Sequence, residues 1–215
     1  RSIAGARGAT ARAGAESTLA VWDDQLVTHG AALLFGRLSL LNEIDGLVAT
    51  AYEQVAPGKS ASIAYLPRSF ADLGEHSTLP RDRNELEELL RKEIEIRRSE
   101  EFARGVTVVG PHRDDVLLTI GDLPAKAYAS HGECWSMALS LRLASFELMR
   151  CLDDIPGDPV LILDDVFAEL DTTRRAALSQ VAMNAEQTII TAAVIEDIPT
   201  ELQAQQFVVT PGLVD

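Results

Sequence analysis

Two adjacent carboxylates behind a run of four apolar residues, Val160-Leu-Ile-Leu-Asp-Asp165, form the strongest chemical signal in this chain. Such a run is expected to be a strand buried on both faces, as a parallel sheet requires. Acids at the C-terminal end of such a strand sit where open α/β sheets place their ligands. A pair of that kind suits magnesium, with one carboxylate holding the ion and the other orienting a water. The plainer reading is an acidic turn leading into the next helix, with Asp171 as N-cap before Thr172 and Thr173. For Asp171 the two readings weigh about equally; for Asp164 and Asp165 the chemical reading is the stronger.

A second signal lies about thirty residues upstream, in Ala129-Ser-His-Gly-Glu-Cys-Trp-Ser-Met-Ala-Leu-Ser-Leu-Arg142. Ser130 and Gly132 stand at the start of a long amphipathic pattern, where free backbone N–H groups and the helix dipole favour an anion. Taken alone, Ser-x-Gly is as readily an N-cap and turn, and its position before the acidic strand is what raises it. A third cluster is the polar turn Gly110-Pro-His-Arg-Asp-Asp115. His112 and Arg113 could contact phosphate or DNA, or link two parts of the molecule. Adjacent charges also satisfy one another, and a structural turn with Arg113 paired to Asp114 or Asp115 is the favoured reading.

These groups need elements to hold them. A helical period runs from Trp22 to Val55, with one apolar stripe through Leu26, Leu33, Leu40, Ile44 and Leu47 and a neighbouring one through Leu34, Leu38, Leu41, Val48 and Tyr52. Pro57-Gly58 ends it, and Ser60–Tyr65 has the alternation of a short strand. Residues 68–80 have loop character. Arg81–Arg104 is a charged helix in which Glu87–Arg91, Glu88–Lys92, Glu93–Arg97 and Glu100–Arg104 are spaced for ion pairs, stopped by Gly105. Strands are expected at Val106–Val109, Val116–Ile120, Val160–Leu163, Thr188–Thr191 and Phe207–Thr210, and helices at Gly132–Leu152 and Thr172–Ala185. Strands alternating with helices imply an α/β lobe with a largely parallel sheet. The organisation expected is a leading segment (1–20, loop or frayed helix), a helical arm (21–105) and an α/β lobe (106–215). Trp22 and Trp135 are expected to pack rather than to stack on bases.

Composition narrows the function classes. The chain has 33 acidic against 19 basic residues, a formal charge of −14, and that field opposes non-specific attraction to phosphate backbones. Arg81, Arg83, Arg91, Lys92, Arg97 and Arg98 could touch DNA, but their neighbouring glutamates make a solvated helix face the plainer reading. Two cysteines without CxxC spacing argue against a disulfide framework or a zinc site and fit a reducing cytoplasm. No apolar run approaches the ~20 residues of a membrane span. The first residue is Arg1, so the sequence is expected to be a piece of a longer chain.

Taken together and in order, these motifs resemble the RecF family of ABC-type ATPases. Ser130-His-Gly-Glu133 resembles the signature loop, Asp164-Asp165 the Walker B acids and Ala168-Glu-Leu-Asp171 the D-loop. The run from Ile162 to Asp171, with Arg174 and Leu178, resembles the C-terminal signature of that family. Gly110–Asp115 and Trp22-Asp-Asp-Gln-Leu26 match two further elements of it. The resemblance implies an ABC-type head lobe plus a helical arm, and two heads that sandwich ATP and Mg2+. Asp164 would hold magnesium through water, and Asp165 would polarise the attacking water. Ser130, Gly132 and Glu133 would meet the nucleotide of the opposite head, and Asp171 would couple the two sites. Implied partners are gapped DNA, an ATP-dependent second copy, RecR, RecO and RecA.

Three departures qualify this. No G-x-x-x-x-G-K-[ST] occurs in the 215 residues, so they are expected not to hydrolyse ATP alone. Asp165 stands where ABC transporters have Glu, which suits slow hydrolysis. Ala192-Ala193 stands where they have His, leaving Thr191 as a possible γ-phosphate sensor. Another SMC-like or nuclease-type head would share the motifs but carry a longer coiled coil. A structural module without nucleotide chemistry would have no need of the Asp-Asp pair.

Overall fold

The computed structural model describes residues 9–70, 79–152, 157–202, 204–210 and 213–214. Helix α1 runs from Ala9 to Val55, so most of the leading segment is helix rather than loop. Strand β1 (Ala61–Leu66) follows, then α2 (Arg83–Ile96) and α3 (Arg98–Arg104). Next come β2 (Asp115–Ile120), β3 (Leu123–Pro124), the short α4 (Ala125–Tyr128) and α5 (His131–Arg150). The chain continues through β4 (Leu161–Asp164), α6 (Thr172–Asn184) and β5 (Thr188–Thr191) to a small hairpin of β6 (Val209–Thr210) and β7 (Leu213–Val214). The loop expected at 68–80 lies partly outside the described residues. No described helix is long and apolar enough to cross a membrane.

By its contacts the chain divides into two compact units, and not at residue 105. The first combines residues up to Asp45 with Ser62–Thr119; the second combines Gly46–Ala61 with the chain from Ile120 onward. Helix α1 therefore contributes to both, and the turn at 110–115 belongs with the helices of the first.

In the first unit Val27, Ala31 and Leu34 of α1 pack with Leu86, Leu90 and Ile94 of α2 and with Val108 and Val109. Of the two expected stripes the second is the better buried, through Leu34, Val48 and Tyr52, and the first contributes Ile44 to the core. Leu33 and Leu40 of the first are exposed, and the small Ala31 faces the core instead. The expected single helix over 81–104 is broken at Arg97, which caps α2 and starts α3, and Gly105 closes α3 in the left-handed conformation. Of the four expected ion pairs, Glu100–Arg104 forms (3.1 Å), whereas Arg91 turns to Asp24 (2.6 Å) and Arg97 to Glu100 (2.8 Å).

The strand expected at Val106–Val109 is absent, for a local reason. The Val108 N–H donates to the buried Glu101 carboxylate (3.0 Å), and Thr107 O accepts both Nε and Nη2 of Arg113. Backbone groups committed to side chains cannot join a ladder.

In the second unit β4 and β5 pair in parallel, with Leu161 opposite Thr188 and Asp164 opposite Thr191. Helices α5 and α6 cover this pair through Leu143, Phe146, Leu178 and Ala182, joined by Ala51 and Val55 of α1. Burial on β4 alternates: Leu161 and Leu163 are buried, while Ile162 is 63% exposed and Ile189 of β5 46%. The strand is thus covered on one face within this chain, not on both as its four apolar residues suggest, because helices lie on one side only. The other described strands form separate sheets, β1-β2-β3 and the antiparallel β6-β7. Both tryptophans are largely exposed, at 55% for Trp22 and 39% for Trp135, so neither is a core residue.

Candidate functional site

Candidate residues of the second unit fall into two groups. The first is set by the parallel register of β4 and β5. Because Asp164 lies opposite Thr191, the Thr191 hydroxyl donates a short hydrogen bond to Asp164 Oδ1. The chain then turns sharply. Asp165 has φ +51°, the only described non-glycine residue with positive φ. Its N–H is held by Thr191 through both the carbonyl and Oγ1, each at 3.1 Å. Left-handed backbone at a residue with a side chain is strained, and here strand pairing on one side and the following helical turn at Phe167–Glu169 over-determine it. The strained turn leaves the Asp165 carboxylate in solvent with no protein partner among the described residues.

Two carboxylates and a hydroxyl are a sparse ligand set. Among the described residues no group of three or more His, Cys, Asp or Glu could hold a metal. Magnesium, however, commonly takes one or two carboxylates and completes its octahedron with phosphate oxygens and water. The pair fits such a shared site and would not fit an all-protein one.

The second group surrounds the start of α5. Ser130 is the N-cap, and it forms a reciprocal capping box with Glu133: the Glu133 N–H donates to Ser130 Oγ (3.3 Å), while Ser130 N–H and Oγ–H each donate to Glu133 Oε2 (2.8 Å). The other Glu133 oxygen accepts from Lys59 Nζ at 2.6 Å. The Lys59 ammonium and the Ser130 donors together hold the Glu133 carboxyl down to about 2.

Arg174 ties this helix start to the next. Its guanidinium donates to Gly132 O (3.0 Å), Ser136 Oγ (2.9 Å) and Asp171 Oδ2 (2.8 Å). Asp171 is itself the N-cap of α6, accepting the Arg174 N–H at 3.0 Å. A Cβ at Gly132 would stand 3.3 Å from Arg174 Nη2, so a larger residue there would press on the guanidinium. The capping role weighed for Ser130 and Asp171 is therefore real for both. The loop and the turn after β4 are also joined by a residue, Arg174, that the motif reading had not singled out for a role. Its signal was present in the sequence as an Asp–Arg pair three apart at a helix start. Lys59, 74 positions from Glu133, had no such signal.

His112 and Arg113 belong to the first unit, in a turn that is built as structure. Pro111 O accepts Arg37 Nη1 (2.6 Å), and Asp114 accepts the Tyr65 hydroxyl (2.8 Å), the Ser69 N–H (2.9 Å) and Ser69 Oγ (2.7 Å). Gly110 has φ +127°, and a Cβ there would meet the His112 ring at 3.0 Å. Arg113 pairs with neither adjacent aspartate: it holds Thr107 O, while Asp115 pairs with Arg68 at 3.2 Å. The turn is held by internal hydrogen bonds, but not by the Arg113–aspartate pair expected for it.

Comparison with known proteins gives these groups a context. No family model matches the chain. It is 48% identical to the DNA replication and repair protein RecF of Frankia alni over 208 residues, 95% of this chain and 54% of that protein. It is 52% identical to RecF of Rhodococcus erythropolis over 198 residues, 89% of this chain and 48% of that protein. A solved structure of the recombination mediator protein RecF with ATPrS, in the RecFOR pathway, superposes over 93% of this chain and 50% of that one, with TM-score 0.73 at 25% identity. The corresponding ATP structure has the same fold, with TM-score 0.73 at 24% identity. The chain thus spans about half the length of the relatives it matches. On sequence and fold together, this chain belongs to the RecF family.

Proposed function

We propose that these residues form the signature and Walker B side of an ATP-dependent DNA-repair ATPase whose two heads close on nucleotide. The observation that carries this is the joining, through Arg174, of the α5 start at Gly132 to Asp171 in the turn after the Asp164-Asp165 strand. A nucleotide contact at Ser130 and Gly132 is thereby connected to the acids that would act on a phosphoryl group. The likeness to RecF structures holding ATP and ATPrS supports the choice of nucleotide.

In this reading Ser130 and the free N–H groups of α5 bind the terminal phosphate of a nucleotide carried by the other head. Asp164, oriented by Thr191, would hold magnesium. Bound magnesium neutralises phosphate charge. Asp165, exposed and strained, accepts the proton of the attacking water. The shorter reach of Asp relative to Glu suits slow turnover, so hydrolysis serves as a timer for the dimer. The 215 residues alone lack a phosphate-cradling Gly-Lys loop and are inactive as a hydrolase. The complete protein associates with gapped DNA and works with RecR and RecO to place RecA.

Ser130→Arg in the full-length protein tests this. A long cation at the α5 start should leave ATP binding by each monomer near normal and weaken ATP-dependent dimerisation at least about tenfold. If Ser130 acts only as the cap it also is, the change costs about 1 kcal/mol of stability and leaves dimerisation intact. Sedimentation with and without ATP, beside a melting curve, separates the two.

A further inference from the structure

Glu133 poses a problem for the surface just described. Its carboxylate is ionised at every physiological pH and sits one hydrogen bond from Ser130, where a triphosphate must approach, in a chain of net charge −14. An uncompensated carboxylate there repels the ligand. The compensation present is Lys59, delivered by the turn at Pro57-Gly58 that follows α1, with Nζ 2.6 Å from Glu133 Oε1. Its side chain is 61% exposed, so the ion pair is held in water and is readily broken.

Tyr52, in the last turns of α1, is fully buried, and its hydroxyl has no hydrogen-bond partner among the described residues. Burial first, and then the charge of Glu133, push its hydroxyl above the ordinary tyrosine range, so Glu133 lies within electrostatic reach of the unsatisfied group. Buried hydroxyls are rarely left so, and one here marks an arrangement that is incomplete at rest.

We infer that Lys59 is a nucleotide-facing residue of this surface: on closure it leaves Glu133 and binds an oxygen of the terminal phosphate beside Ser130. The inference rests on the sandwich reading above. A lysine suits the task as a compact charge on a flexible stem that can move from carboxylate to phosphate without geometric constraint. Lys59 thus screens Glu133 while the site is open and adds a charge-assisted contact once it is closed.

The test uses the full-length protein and ATP-dependent dimerisation measured by sedimentation. Lys59→Met should bind ATP as a monomer like the parent and melt at the same temperature, but dimerise about tenfold or more weakly. Lys59→Arg should keep most of the dimerisation. Lys59→Met combined with Glu133→Gln should remain weak, because removing the repulsion does not replace the contact. If Lys59→Met melts early, Lys59→Gln is measured in its place. Parental dimerisation by the single variant overturns the inference. So does full recovery in the double variant, which would reduce Lys59 to a screen. Ser130→Arg, run alongside, keeps the two ideas apart. Normal dimerisation by that variant sinks the sandwich itself, whereas its failure beside a normal Lys59→Met sinks only the role of Lys59.

Discussion

The two units use charged residues in opposite ways. In the first, Glu101 is fully buried and holds the Val108 N–H and Arg98, Asp114 holds three donors from Tyr65 and Ser69, and Arg97 caps the carbonyls of Ser69 and Val108. Each of these groups replaces backbone pairing that the irregular chain at 106–114 lacks. In the second unit Asp164, Asp165 and Asp171 are exposed and Glu133 is half-buried. Among the described residues the Asp164 carboxylate has one partner and that of Asp165 none, while Glu133 stands between them and the first unit's acids, held by Ser130 and an exposed lysine. A carboxylate held by several buried donors is committed to the fold. One left open at the end of a paired strand remains available for a ligand. The contrast separates structural from chemical charges better than residue type does, since both sets are mostly aspartate and glutamate.

The contrast breaks most sharply at Asp165. In the full-length protein Asp165→Asn should lower ATP hydrolysis about a hundredfold or more, the usual contribution of a general base. ATP binding and melting temperature should hold, because the side chain has no partner to lose. A variant whose ATP affinity falls as far as its turnover would place Asp165 with the structural acids of the first unit.

The converse change is Asp114→Ala. It strands the Tyr65 hydroxyl and the Ser69 N–H, at a cost of roughly 3–5 kcal/mol of stability when two or three charge-assisted bonds are lost in a part-buried place. Denaturant unfolding should show it directly. Protein that still folds at low temperature should retain nucleotide binding. A loss of ATP binding without loss of stability would mean that the turn at 110–115 is a site after all.

The smallest effect sharpens the comparison from the side of Glu133. Its carboxyl is depressed to about 2 from an ordinary value of 4.5, by Lys59 first and by Ser130 next. A depressed carboxyl contributes stability that is present above pH 4.5 and lost as pH falls from there through about 2. The protection factor of the Ser130 amide, its exchange relative to the intrinsic rate at each pH, should therefore fall across that window in the parent, since its N–H donates to Glu133. In Glu133→Gln it should not respond to pH there.

Much of the second unit was legible in the sequence because its signals are local. Asp171 and Ser130 announce helix starts by type and spacing, and α6 and β5 follow within a residue of expectation. Four apolar residues before two acids identify β4 and the open end of its strand. The RecF-like order of motifs rests on such local runs, which is why half a family-length chain suffices to reveal it. Tertiary structure decided the rest wherever a residue had distant alternatives. Val106–Val109 has the composition of a strand, yet Glu101 and Arg113 capture its backbone. Arg91 and Arg97 left their expected helical neighbours for Asp24 and Glu100, and Leu33 and Leu40 of the first apolar stripe of α1 stayed in solvent while Leu34, Val48 and Tyr52 of the second went to the core. Lys59 meets Glu133 across 74 positions of chain. Sequence periodicity reports which groups can lie on one face of an element. It carries no record of which elements then meet, and that choice belongs to packing, where backbone and side chains compete for the same hydrogen bonds.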